Sequence, residues 1–167
     1  MATVKHTLLP EEAQFLAATF PAYSKINGTN FPVSGLAFDA AADEFAFWKF
    51  IAQNYASGNL TINIYWYADT ATSGDVIFDA AIAAITANAD TQDIETDAFA
   101  TINSVTDTHL GTTGQRVHLA TITISNLDSL AADDHVVFRL SRDANNAADT
   151  MAGDCIVTAI ELTYSDV

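Results

Sequence analysis

An all-β sandwich is the fold class that this sequence predicts, and three observations predict it. From Phe31 onward apolar residues recur with period two in short runs. Those runs are rich in β-branched and aromatic side chains. Clusters of Asp, Asn, Gly, Ser and Thr separate them. Strands are expected over residues 33–39, 44–52, 59–67, 76–86, 98–105, 117–125, 135–142 and 155–164, eight in all. Alternating strand and helix patterns are absent, which disfavours an α/β fold. Eight antiparallel strands with irregular connections are most simply two packed sheets, so the expectation is an eight-stranded antiparallel sandwich of jelly-roll type. The expected division is an N-terminal arm, residues 1–32, and one sandwich domain, residues 33–167.

The run 59–67 carries the clearest pattern. Leu60, Ile62, Ile64 and Trp66 fall on one face, and Thr61, Asn63, Tyr65 and Tyr67 on the other. In 44–52 the alternation fails: Phe45, Phe47 and Ile51 lie on one side, with Ala46, Trp48, Phe50 and Ala52 opposite. A strand apolar on both faces must be covered on both, here by the arm or by another subunit. The run 76–86 repeats the idea, with Ile77 and Ile85 behind Val76, Phe78 and Ile82. The connections 88–97, 106–116 and 143–154 are long and polar, as functional or contact-forming loops commonly are.

Within the arm, Pro10 followed by Glu11 and Glu12 reads as a helix start and Pro21 as a stop. Leu8, Leu9, Phe15, Leu16, Phe20 and Tyr23 are too many large apolar groups for a solvated tail. They are expected either to fold against the sandwich or to bind a partner, and they are the candidate partner-binding residues.

Charge narrows the function classes. The 167 residues hold 21 acidic and 6 basic side chains, a net of −15. Lys5, Lys25, Glu11 and Glu12 cancel in residues 1–30, so the whole excess falls on the domain. Nucleic acid is not an expected partner, because binding it needs a basic patch that releases counterions. No apolar stretch reaches the roughly 18 residues of a membrane span. The opening Met-Ala-Thr-Val-Lys-His lacks the apolar core of a secretory signal, so a cytoplasmic origin is expected. Cys155 is the one cysteine, which rules out an intramolecular disulfide or a cysteine metal cage.

Chemistry-bearing motifs are missing: there is no nucleophile elbow, phosphate loop, dinucleotide fingerprint or zinc helix motif. No catalytic residue, cofactor or metal site is therefore expected, and the chain is not expected to be an enzyme. His6, His109, His118 and His135 are scattered and show no ligand spacing. Asp143, Asp149 and Asp154, with Asn145 and Asn146, gather the hard oxygens that Ca²⁺ prefers. A self-capping loop, with Arg139 or Arg142 paired to one Asp, is the better explanation. Tyr65 and Tyr67 form a candidate glycan platform, whereas Trp48 and Trp66 belong to the core.

Three segments together carry a family resemblance: residues 36–50 with Phe45, Phe47 and Trp48, residues 59–80 with Tyr65, Trp66 and Gly74, and residues 138–154 with Arg139, Arg142 and Gly153. The chain resembles small jelly-roll virion proteins of tailed bacteriophages. That resemblance implies a capsid decoration, or cement, protein that binds the major capsid protein and itself as a homotrimer. It implies a place on the virion after assembly in the host bacterial cytoplasm. A carbohydrate-binding tail-fibre or adhesin module is the alternative it leaves open.

Overall fold

The computed structural model describes residues 2–166. Ten strands are present among the described residues: β1 Thr3–Leu8, β2 Ala22–Asn27, β3 Pro32–Phe38, β4 Glu44–Ile51, β5 Leu60–Ala68, β6 Asp75–Ile85, β7 Asn103–Thr108, β8 His118–Ile124, β9 His135–Arg142 and β10 Cys155–Ser165. They form two antiparallel sheets packed as a sandwich, the expected fold class with ten strands in place of eight. One sheet runs β4-β9-β6-β7. The other runs β2-β3-β10-β5-β8.

Strand β10 organises the second sheet. Its first residues pair with β3, its later ones with β1, and β5 lies along its other edge. The register shifts between Val157 and Ala159, a bulge at Thr158 that inverts the alternation. Cys155 and Val157 point inward before it, and Ile160, Leu162 and Tyr164 after it. Gly35 lets β3 approach β10, since a Cβ there would lie 2.8 Å from the Val157 carbonyl oxygen.

Period two sets the core. Leu60, Ile62, Ile64 and Trp66 of β5 face Val76, Phe78 and Ile82 of β6 and Phe138 of β9 across the sandwich, all of them fully buried. Burying side chains of this size stabilises the fold by roughly 1.5–3 kcal/mol each.

Both strands missing from the sequence expectation come from the arm, and they belong to the sandwich sheet. β1 pairs with β10 from Thr3↔Ser165 to Leu8↔Ile160, and β2 pairs with β3 over six residues. Leu8 is buried in the core. The indole of Trp48 donates to the Leu9 carbonyl at 2.9 Å. Only one 3-10 turn, Pro10–Glu12, forms where a helix start was expected. Beyond it, Gln14 and Phe47 exchange backbone bonds of 2.8 and 3.0 Å, and Phe45 N–H donates to the Thr19 carbonyl. The arm thus closes the free edge of β4. Of the candidate partner-binding residues, Leu8 is internal, while Leu9, Phe15, Leu16, Phe20 and Tyr23 keep 40–66 % exposure.

The 143–154 connection is organised by an internal ion pair. Arg142, with no exposed surface, grips both oxygens of Asp149 at 2.6 and 2.9 Å and donates to the carbonyls of Met151 and Gly153. Asp149 also accepts from Ile77 N–H. The carboxylate that a Ca²⁺ reading needed is taken by Arg142, as the self-capping explanation requires.

Two outcomes follow. Deleting residues 1–30 removes six β1 pairs and the Leu8 side chain, so the remainder is expected to lose cooperative unfolding. Leu8→Ala alone should cost about 2–4 kcal/mol in urea unfolding, and an unchanged midpoint would place the arm outside the folded unit. Asp149→Asn, which strands a buried guanidinium, should cost about 3–5 kcal/mol by the same assay.

Candidate functional site

The alternation that sends Ala46, Trp48 and Phe50 inward sends Phe45, Phe47, Lys49 and Ile51 to the outer face of the four-stranded sheet. Beside them β9 places His135, Val137, Arg139 and Ser141, and β6 places Asp79, Ala81 and Ala83. The small Ala81 and Ala83 keep the middle of this face low. Its sides are raised by chain segments: 14–16 along β4, and 94–99 on the opposite flank.

The result is a groove. One part, of about 400 Å³, lies among Phe15, Leu16, Phe47, Lys49, Ala83 and Phe99, with Glu95 and Asp97 on its rim. Another, of about 180 Å³, lies among Asp43, Phe45, Asp79, Arg139, Ser141 and Asp143. Between them stands Arg139. Its guanidinium lies 4.9 Å from the Phe99 ring centre and 5.5 Å from that of Phe45, and the Phe47 and Phe99 rings are 6.0 Å apart. A cation over aromatic faces is held without its N–H donors being consumed.

Three buried polar atoms on this face have no partner among the described residues: Arg139 Nε, His135 Nδ1 and Asp97 Oδ2. Burial lowers the pKa of Arg139, with Asp79 opposing that shift. The Asp79 carboxyl is raised, first by burial. Aromatic rings beside Asp, Arg and Lys suit a ligand that has both apolar C–H faces and hydroxyl groups. The rings pack against the former, while the charged groups donate to and accept from the latter.

Tyr65 and Tyr67, the sequence-derived platform, lie on the outer face of the other sheet. Tyr67 is only 6 % exposed and Tyr65 is half-buried. Tyr67 floors a hollow of about 570 Å³ with Ile26, Phe31, Val33 and Val117. This hollow is larger than either part of the groove, yet it has no charged group in its lining. The groove has charged groups, rings and polar atoms without partners, and it is the better candidate.

A third cluster is internal. The rings of His109 and His118 lie 4.4 Å apart, and His118 stacks on Trp66 at the same separation. Leu110 N–H donates to His118 Nε2 and Gly111 N–H to His109 Nδ1, each at 3.0 Å. These two hydrogen bonds pin the 109–116 loop to the pair of rings. Sequence spacing had left these histidines apart. Among the described residues no group of three or more His, Cys, Asp or Glu is placed to hold a metal ion.

No protein-family model and no curated protein matches the chain by sequence. Solved structures do match. A xylan-binding module, CBM15, superposes with a TM-score of 0.52 at 12 % identity, covering 99 % of this chain and 99 % of that one. A carbohydrate-binding module specific for non-crystalline cellulose, CBM28, gives 0.50 at 8 % identity, covering 91 % of this chain and 85 % of that one. At such identities the likeness is one of fold, the jelly-roll sandwich. It corrects the capsid decoration expectation, because these structures are carbohydrate-binding modules and not phage virion proteins. The physical reason is that the outer face of β4, expected to be covered by the arm or by another subunit, is covered in part by the chain's own segments 14–19 and 94–99. The expected capsid partner, homotrimer and virion location came with the resemblance to virion proteins.

The histidine pair generates a pH expectation. Burial, followed by the neighbouring His109, lowers the pKa of His118 below its ordinary value of 6.5. The unfolded chain therefore takes up the proton first. This contribution to stability is complete above about pH 6.5 and is lost as pH falls through that value toward the folded pKa. Denaturant midpoints between pH 7.5 and 5.5 should fall more steeply in the wild type than in His118→Gln, and identical slopes would remove the pair from the linkage.

Proposed function

We propose that this chain is a non-catalytic carbohydrate-binding module that holds a glycan along the outer face of its four-stranded sheet. The observation that carries this is the groove: Phe45, Phe47 and Phe99 give it apolar ring faces, and Arg139, Asp79, Lys49 and Asp97 give it donors and acceptors. A sugar ring presents C–H groups on its faces and hydroxyls around its rim, and the groove offers a complement to each. The two hollows on either side of Arg139 suit an extended oligosaccharide better than a single small molecule. The sandwich shared with the xylan- and cellulose-binding modules supports the same reading at the level of fold.

Binding on this reading needs no chemical step. Phe99 and Phe47 stack on the glycan, Arg139 and Lys49 donate to ring and hydroxyl oxygens, and Asp79 and Asp97 accept from hydroxyls. The 94–99 segment, which carries Phe99, sets the width of the groove.

Affinity electrophoresis and calorimetry against a panel of soluble xylans, glucans and amino-sugar oligomers test this. At least one glycan should bind. Phe99→Ala and Arg139→Ala should each weaken it about tenfold or more, with the fold retained because neither residue is in the inter-sheet core. Absence of binding across the panel would sink the proposal. Binding that survives both changes but is lost in Tyr65→Ala would move the site to the other sheet.

A further inference from the structure

The groove is chemically lopsided, and its smaller hollow points to the kind of glycan it selects; this inference rests on the glycan-binding reading above. Asp43, Asp79 and Asp143 border that hollow. Each has one oxygen held by a hydrogen bond. Asp43 Oδ1 accepts from Asn145 N–H at 3.0 Å, Asp143 Oδ2 accepts from the Asn146 amide at 2.9 Å, and Asp79 Oδ1 accepts from the Ser104 hydroxyl. The second oxygen of each takes no hydrogen bond among the described residues.

Asp79 is the informative member. It is only 8 % exposed, and its free oxygen belongs to a side chain that lines the hollow. The second oxygen of this largely buried carboxylate takes no hydrogen bond from the described residues, so it is open to a donor on a ligand in the hollow. Its carboxyl is raised by burial and then by the charges of Asp143 and Asp43, against the Ser104 hydrogen bond and Arg139, so the three carboxylates act on one another.

Positive charge does not cancel this. Arg142 also borders the hollow, but both oxygens of Asp149 already neutralise it. Among the described residues that line the hollow, Arg139 is the one remaining cation, set against three carboxylates and held over the Phe45 and Phe99 rings. At the other end Glu95 and Asp97 outnumber Lys49. The whole chain, at −15, repels uronate, sulfated or other anionic glycans and attracts cationic ones.

We propose that the hollow between Asp43, Asp79 and Asp143 receives the protonated amine of an amino-sugar residue, so that the groove prefers a deacetylated, cationic glycan. The ammonium supplies N–H donors to the free carboxylate oxygens. The C–H face of the same sugar packs on Phe45, and the neighbouring residues of the oligomer extend past Arg139 toward Phe99. An N-acetyl group in the same place removes the charge and adds bulk to a hollow of about 180 Å³.

The test is calorimetry on the full chain with a fully deacetylated glucosamine oligomer and its N-acetylated counterpart of equal length. The wild type should bind the amine oligomer about tenfold more tightly. Asp79→Asn combined with Asp143→Asn should bring the two ligands close to parity, and Asp143→Asn alone, at a partly exposed position, should lower the preference by an intermediate factor if the double variant fails to fold. Asp69→Asn combined with Asp133→Asn removes the same charge away from the groove and should leave the preference intact. Equal or tighter binding of the acetylated oligomer overturns the inference, as does a preference that falls equally with the remote pair, which marks unspecific adhesion of a polycation. If neutral glycans bind in the groove without any preference for the amine, this inference fails and the glycan reading stands. If no glycan binds, the glycan reading fails and takes this inference with it.

Discussion

The outer face of the four-stranded sheet is apolar enough to need a cover, and the rest of the molecule is arranged around supplying one. Phe45, Phe47, Val137 and Ile85 lie on that face, so water alone is a poor neighbour for it. Segment 14–19 approaches from one side, bound to the edge of β4 through Gln14 and Thr19, and Phe99 approaches from the other. The edge contact also fills the hydrogen-bonding groups of a strand that would otherwise invite pairing with another chain. Segment 14–19 is positioned from both of its ends, by β1 on β10 and by β2 on β3. The cover is incomplete because the small Ala83 does not fill the space beneath it. The groove is what remains.

Most of the sandwich was legible because period two is a direct consequence of the pleat. Strand 135–142 was placed at its observed bounds, and 155–164 ends within one residue of β10. The misses have local causes. In β1 the inward residues are Val4, His6 and Leu8, and a histidine in the middle position breaks the apolar signal. β2, Ala-Tyr-Ser-Lys-Ile-Asn, is largely exposed and has little apolar alternation to read. β7 begins at Asn103, later than the expected 98, because the apolar residues of 98–102 belong to the flank of the groove and not to the strand. The site itself was hardly legible. Phe45, Phe99 and Arg139 lie far apart in the chain, Phe99 sits within a connection, and only the pairing of β4 with β9 brings Phe45 near Arg139. The pairing of His109 with His118 was hidden in the same way by the loop between them.

Two arginines on one strand show how the protein separates structural charge from available charge. Three positions apart on β9, Arg139 and Arg142 point to opposite faces. Arg142 enters the sandwich, where a lone guanidinium would be prohibitive, and is stable there because Asp149 and two backbone carbonyls occupy its donors. Arg139 faces outward and rests on the Phe45 and Phe99 rings, an arrangement that fixes its position while leaving Nε without a partner among the described residues. The first is a structural element of the 143–154 loop. The second has capacity left for a ligand.

The acidity that shapes the groove has its origin in how the chain turns. With 7 Gly and 3 Pro in 167 residues, the sequence has few of the usual turn formers. Asp and Asn take over that work. Asp39 accepts from Ala41 N–H, Asp93 from Glu95 N–H, Asp90 from Thr86 N–H and Asp134 from Ala131 N–H. Asn54, Asn88, Asp128 and Asp133 adopt positive φ, which short side chains able to bond locally tolerate best. A chain that makes its turns with carboxylates accumulates negative charge at the ends of its strands. Those ends are where Asp43 and Asp143 sit, beside the groove. The field around the groove is in this sense inherited from the turns of the scaffold, and Asp79, from the middle of β6, brings it onto the sheet itself.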